Sequence, residues 1–140
     1  MKIKIVSRTG ILPQYETSGS AGMDLRSEET ILIPPGERVL VSTGIFIELP
    51  EGYEAQVRAR SGLSIKHGIG LVNGVGTIDS DYRGEIKIPL INLGANPYNI
   101  EKGDRIAQMI ISKYERVSWE PVEELNKTIR DEKGFGSSGK

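Results

Sequence analysis

Cysteine is absent from the 140 residues of this chain. That excludes a disulfide framework and any thiolate chemistry, and it permits a reducing compartment. Histidine occurs once, at His67. No Ser–His–Asp spacing surrounds it, and its place beside Gly68 suits a helix C-terminus favoured by the dipole. No apolar run approaches the ~20 residues of a membrane span. Met1–Val6 is too short and too interrupted to read as a signal peptide. An excess of one charge is also missing. The formal net charge is −1, with acids and bases mixed along the chain, so no basic stripe marks a nucleic-acid groove. These absences lead us to expect one soluble, cytoplasmic domain. A domain of this length buries roughly 70% of its unfolded surface without covalent staples.

What is present is a period of two. Val39, Val41, Thr43, Ile45, Ile47 and Leu49 fall on one side of an extended chain, with a break permitted by Gly44. Tyr53, Ala55, Val57 and Ala59 alternate with Glu54, Gln56, Arg58 and Arg60, the pattern of a half-buried strand. Leu49-Pro50-Glu51-Gly52 and Pro34-Pro35-Gly36-Glu37 are turn signals. Ile3/Ile5, Ile31–Ile33, Leu71-Val72, Ile86–Leu93 and Ile106–Ile111 read as further strands. Many short strands between Gly/Pro turns predict an all-β sandwich or barrel. One short helix is expected over Ser61–His67, with Ser61 as N-cap and Gly68 just past its end. Pro121–Leu125 reads as a helical turn. Ile86–Ile91 and Ile106–Ile111 are apolar on both faces and require cover on both sides. That cover comes either from the same subunit or from another.

Chemistry-bearing residues cluster in Asn73–Gly84, where Asp79, Asp81, Tyr82 and Arg83 crowd among glycines. A structural turn needs glycines for positive φ. It does not need an acid, an aromatic and a base beside them. In an extended chain Asp81 would share a face with Asp79, as a tuning or structural acid. Arg60-Ser61-Gly62 opens the expected helix, where free N–H groups, a hydroxyl and a guanidinium fork suit an anion. A capped helix with a solvated arginine explains the same triplet. Gln108 interrupts an apolar strand, so its amide is either a core anchor or a ligand contact. The tail from Arg130 combines Gly134, Gly136, Gly139, Ser137 and Ser138 with one aromatic, Phe135. Such a composition cannot order itself.

Five segments carry a resemblance. They are Ala21–Leu25, Arg60–Ile69, Asn73–Gly84, Gly103–Ile110 and Arg130–Gly139. In order and content they closely resemble the motifs of the homotrimeric dUTPases, over about Ile3 to Gly139. The resemblance implies a jelly-roll-like β-barrel or sandwich with one short helix, and strands shared in a trimer. Residues 1–128 would form one β-barrel unit, and 129–140 a flexible C-terminal lid. It implies hydrolysis of dUTP to dUMP and pyrophosphate, which supplies dUMP for thymidylate synthesis and keeps uracil out of DNA.

The implied roles follow residue by residue. Asp79, the acid of Thr77-Ile78-Asp79, matches the general base that holds and deprotonates the attacking water. Asp24 matches an acid that helps hold Mg²⁺ largely through its waters, a mode this ion favours. Arg60, Ser61 and Gly62 match the triphosphate contacts, and Gln108 one near the α-phosphate. Tyr82 matches the ring packed against C2′ of deoxyribose, which leaves no room for a 2′-hydroxyl. Uracil would be read mostly by backbone groups from Asn73 to Lys87. Asn73 stands at the entrance, and Lys87 acts through its main chain. Phe135 would stack on uracil, while Arg130, Gly136 and Ser137 take the γ-phosphate as the tail closes. Ala59 stands where many relatives have proline, and Ser64 where many have alanine or glycine. A dCTP deaminase on the same fold is the nearest alternative. It would require a glutamate where Pro89 stands, and usually Arg-Ser-Ser in place of Arg60-Ser61-Gly62. A β-rich trimer that binds nucleotides without catalysis is the other alternative.

Overall fold

The computed structural model describes residues 1–134. Strands β1 (Lys4–Ser7), β2 (Met23–Arg26), β3 (Ile31–Ile33), β4 (Arg38–Ser42), β5 (Ile45–Glu48) and β6 (Tyr53–Arg58) precede helix α1 (Ser61–His67). Strands β7 (Ile69–Leu71), β8 (Val75–Ile78), β9 (Lys87–Asn92), β10 (Tyr98–Ile100) and β11 (Arg105–Lys113) follow it. Every pairing is antiparallel. The largest sheet runs β2-β11-β6-β8, and a second runs β4-β9-β7. Two-stranded pairings β1-β5 and β10-β3 complete a jelly-roll-like β fold.

The period-two reading places the core correctly. Val41, Thr43, Ile45, Ile47 and Leu49 are all buried, as are Ala55 and Val57. All of these but Thr43 pack with Leu25, Ile33, Ile69, Ile88, Leu90, Ile100 and Ile106 into one cluster. In β11 the alternation breaks, because Ile106 and Ala107 are both buried. The pairing with β2 shifts register between Arg105 and Ala107. A bulge of this kind turns two successive side chains inward and re-aims the residue before it, here Arg105.

Two local expectations are corrected. Ser61 is not the N-cap. Arg60 caps α1 in extended conformation (φ −96°, ψ 128°), and no side chain closes the first turn. Pro121–Leu125 forms no helical turn, only a bend at Glu123-Glu124. It makes no tertiary packing that would offset the cost of nucleating a turn, and Val122 and Leu125 are exposed. The other end of α1 behaves as expected. Gly68 takes φ +70°, and its N–H returns to the carbonyls of Leu63 and Ser64. A Cβ there would also strike the backbone of Gly94, so the position tolerates only glycine. His67 sits in the last turn with its ring 4.7 Å from that of Tyr98. Asn92, fully buried, donates to the carbonyls of Ile33 (2.9 Å) and Asn96 (2.8 Å) and accepts from Gly94 N–H (2.9 Å). Its amide is thereby satisfied, as a buried polar group must be.

Candidate active site

Val75–Ile78, which the period-two alternation does not mark, is strand β8. It pairs with β6, setting Gly76 opposite Val57 and Thr77 opposite Gln56. The Asn73–Gly84 stretch is thus a turn, a strand and a second turn. The strand ends at Ile78, and the Asp79 carbonyl accepts the Tyr82 N–H at 3.2 Å. That closes a four-residue turn with Asp81 inside it. Asp81 therefore does not share an extended face with Asp79, contrary to the sequence reading.

This arrangement opens a cleft of about 310 Å³. Asn73, Gly76, Thr77, Ile78, Asp79, Tyr82, Glu85 and Lys87 line it, with Leu40, Val57, Leu71 and Pro89 as apolar floor and walls. A concave, mostly apolar slot with a few polar groups is the usual form of a small-molecule site. Pro89 offers no carboxylate there. Gly76 matters because a Cβ would stand 3.3 Å from Val57 and 3.5 Å from the Asn73 amide, crowding the backbone edge of the slot.

A second group of the expected residues gathers at the ends of β2, β6 and β11. Gln108 pairs with Asp24 on one side and Arg58 on the other, so β11 carries Ala21–Leu25 and the approach to Arg60 together. Asp24 Oδ1 lies 3.0 Å from Arg60 Nε, and its Oδ2 lies 3.4 Å from Arg105 Nη1. Arg60 Nη1 donates to the Arg105 carbonyl at 3.1 Å. Arg105 also reaches Glu16 at 3.4 Å. Gln108 Nε2 donates to the Ala59 carbonyl at 2.9 Å, so the amide anchors the backbone next to Arg60. Its oxygen faces Gly22, where a Cβ would come within 2.8 Å of it. Ser61 and Gly62 are exposed at the start of α1, and no side chain caps its first turn.

The cleft includes none of Asp24, Arg60, Ser61, Gly62 and Gln108. Within one chain the slot and the arginine–Asp24 group share no lining residue. Arg105, Glu16, Arg8 and Glu85 are the residues that sequence reasoning missed. Arg105 lies within a quoted segment, but its partner Asp24 is 81 positions away. Arg130 is exposed, and its Nε donates to the Lys133 carbonyl at 2.9 Å. Phe135, Gly136 and Ser137 lie outside the described residues.

The fit of a magnesium ion can be judged from the donors. Among the described residues no group of three or more His, Cys, Asp or Glu side chains could hold a metal. A protein cage is thus missing. Asp24, with two arginines on its oxygens and its side chain 17% exposed, keeps lone-pair sites for a metal-bound water. That donor set fits an ion bound chiefly by substrate oxygens and water.

Among the described residues no helix is long and apolar enough to cross a membrane. Comparison with known proteins places this geometry in context. The dUTPase family model matches residues 8–139. The deoxyuridine 5'-triphosphate nucleotidohydrolase of Finegoldia magna is 58% identical, with 99% of each chain covered. That of Rickettsia felis is 56% identical over 97% of this chain and 93% of the relative. Among solved structures, the dUTPase of Staphylococcus bacteriophage 80alpha with dUpNHpp superposes with a TM-score of 0.90 at 29% identity, covering 99% and 98% of the two chains. A dUTPase from phage phi11 of S. aureus, described with a structural Mg(II) ion, gives 0.82 at 25% identity over 89% and 98%. With the family model spanning nearly its whole length and relatives this similar, the chain belongs to the dUTPase family.

Proposed function

We propose that the chain is a dUTP diphosphatase that cleaves dUTP to dUMP and pyrophosphate, with Asp79 activating a water that attacks the α-phosphorus. The observation that carries this reading is the cleft in which Asp79, Tyr82, Asn73 and the β8 backbone face one another. Glu85 also lines the cleft, but its carboxylate is held by Gly44 N–H and Arg8. Asp24 already has a guanidinium on each oxygen. Asp79 has no cation within ion-pair distance among the described residues. An acid free to turn toward a water is the better base. The Asn73 side chain and the Thr77–Ile78 backbone suit the edge of uracil. Lys87 contributes through its main chain. Arg60, Ser61, Gly62 and Gln108 suit the phosphates, and Asp24 would hold Mg²⁺ through its waters. The ion, when bound, neutralises charge on the phosphate oxygens. Incubation with dUTP or dCTP plus Mg²⁺, followed by product analysis, tests the reading. Only dUTP should yield a monophosphate and pyrophosphate; deaminated product from dCTP, or no product at all, would overturn it.

Tyr82 stands at the mouth of the cleft, 44% exposed, where its ring would lie against C2′. Tyr82→Ala is expected to relax the preference for dUTP over UTP by about 1–3 kcal/mol, the worth of one snug apolar contact. The ratio of kcat/KM values for the two nucleotides checks this. An unchanged ratio would place the ring elsewhere.

The assembly proposed is a homotrimer with sites shared between chains. The cleft and the arginine–Asp24 group share no lining residue within one chain, and a triphosphate must touch both. Leu40 (58% exposed) on β4 and Leu93 (74%) just past the end of β9 leave apolar surface open. Trp119 (89%) and Leu125 (86%) do the same after β11, more than a lone subunit comfortably carries. Light scattering should give about three times the chain mass of 15.4 kDa. Mixed and co-refolded Asp79→Asn and Arg60→Ala chains should regain activity that neither has alone. A fully active monomer would end the shared-site proposal.

Residues 129–140 are proposed to close over the bound nucleotide, with Phe135 on uracil and Arg130, Gly136 and Ser137 at the terminal phosphate. Ile129 and Arg130 add nothing to the core. Truncation after Thr128 is therefore expected to preserve the fold and remove most turnover. A truncated chain with the full kcat would remove the lid from the scheme.

A further inference from the structure

One charged cluster lies outside the roles assigned so far, and it is tied to the cleft. The Tyr82 hydroxyl donates to the backbone carbonyl of Glu85 at 3.0 Å. The ring lies over Gly84 so closely that a Cβ there would clash with it. Glu85 is in turn pinned by its own side chain, which is only 10% exposed. Its Oε1 accepts from Gly44 N–H at 2.9 Å and from Arg8 Nη2 at 2.6 Å. Arg8 also forks onto Glu28, with Nη2 at 2.5 Å and Nε at 3.1 Å, and its guanidinium sits 5.4 Å over the Phe46 ring. Lys87 is a more distant neighbour, 3.9 Å from Glu85 Oε2. Burial pushes the Glu85 carboxyl up, but the Gly44 amide and Arg8 outweigh it and hold it below the usual range. The Arg8 hydrogen bond holds Glu28 below its usual range too. The cluster is therefore fully ionised at neutral pH. It joins β1, β2, β4 and β5 to the short stretch that carries Tyr82.

We propose that Arg8, Glu28 and Glu85 form a positioning clamp for Tyr82, and that this clamp sets how strictly the site rejects a ribonucleotide. The inference rests on the reading of Tyr82 as the filter for the sugar. A ring filters by its height over C2′, and a shift of a fraction of an ångström would admit a hydroxyl. Among the described residues the ring's hydroxyl has one hydrogen-bond partner, the Glu85 carbonyl. The peptide of that carbonyl is held twice: by the Ile86 N–H on the Ile45 carbonyl at 2.8 Å, and by the Glu85 carboxylate on Gly44 N–H and Arg8. These are positioning residues: Glu85 acts on Tyr82 through its backbone carbonyl, and Arg8 and Glu28 act through the Glu85 carboxylate.

The test compares dUTP and UTP as substrates of the full chain. Arg8→Gln, Glu28→Gln, Tyr82→Phe and Tyr82→Ala are assayed for kcat/KM on both, with thermal unfolding measured in parallel. Arg8→Gln and Tyr82→Phe should each lower the dUTP/UTP ratio roughly 2- to 30-fold, the range for residues that act through a packed network. The double variant should be no worse than the larger single change, because both break one chain of contacts. A lower melting temperature with a wild-type ratio in Arg8→Gln would make the cluster purely structural and overturn the clamp. Should Arg8→Gln fail to fold, Glu28→Gln and Tyr82→Phe decide. The latter removes only a hydroxyl from a ring at the surface, and an unchanged ratio in it overturns the proposal. If Tyr82→Ala relaxes the ratio while Arg8→Gln and Tyr82→Phe do not, the clamp alone fails. If Tyr82→Ala also leaves it unchanged, the sugar-filter reading fails with it.

Discussion

Asp79→Asn is expected to lower kcat by roughly two to four orders of magnitude, the range for a lost general base. Nucleotide binding should largely survive. Asparagine keeps the size of the side chain and one acceptor oxygen, and the fold around it does not use the carboxylate. The turn is closed by the Asp79 backbone carbonyl, which accepts the Tyr82 N–H, and that bond is indifferent to the substitution. What asparagine loses is the ability to take a proton from water. A water in line with a phosphoanhydride is a poor nucleophile until that proton begins to leave. Single-turnover rates and binding of a non-hydrolysable dUTP analogue separate the two effects. Wild-type turnover in Asp79→Asn would show that another group activates the water. A binding loss as large as the rate loss would make Asp79 a ligand rather than a base.

Arg60→Ala is the second large expected effect, a fall in kcat/KM of about 10²–10³, comparable to removing one preorganised donor from developing charge. Arg60 uses Nε on Asp24 (3.0 Å) and Nη1 on the Arg105 carbonyl (3.1 Å). That ion pair and that hydrogen bond orient the guanidinium and leave Nη2 for a phosphate oxygen. A planar fork held in this way is already oriented before substrate arrives. Arg60→Lys should recover little, because a compact ammonium lacks the planar fork that spans Asp24, the carbonyl and a phosphate oxygen. The loss should exceed anything attributable to stability, since Asp24 keeps Arg105 as a partner. Unfolding temperature measured beside kcat/KM checks this. If Arg60→Ala retained wild-type kcat/KM, Arg60 would be only a brace for Asp24, and the phosphates would have to be met elsewhere.

The candidate site divides into parts that local sequence determines and parts that it does not. The alternation from Val39 to Leu49 and from Tyr53 to Ala59 could be read directly, because a pleated strand turns every second side chain to the same face. The end of α1 at Gly68 was equally legible, since a left-handed residue there demands glycine. The chemistry-bearing segments stood out because their residue types exceed what a turn requires. Each of these depends on neighbours within a few positions.

Other features depended on partners far along the chain. Val75–Ile78 is only four residues long and is interrupted by Gly76, and it is a strand because β6 offers it an edge. The first turn of α1 could have been capped by Ser61, but Arg60 takes the extended cap position, next to a backbone that Gln108 holds through Ala59. Asp24 finds Arg105 across 81 positions, and Arg8 finds Glu85 across 77. Sequence alone determined that this is a β-rich chain with acids, a tyrosine and arginines set in glycine turns. Which of those acids is paired with arginine, and which has no cation beside it among the described residues, was decided only by the folded sheets. Strand pairing brings residues together by register and not by sequence distance, and register is chosen by burial of the whole core.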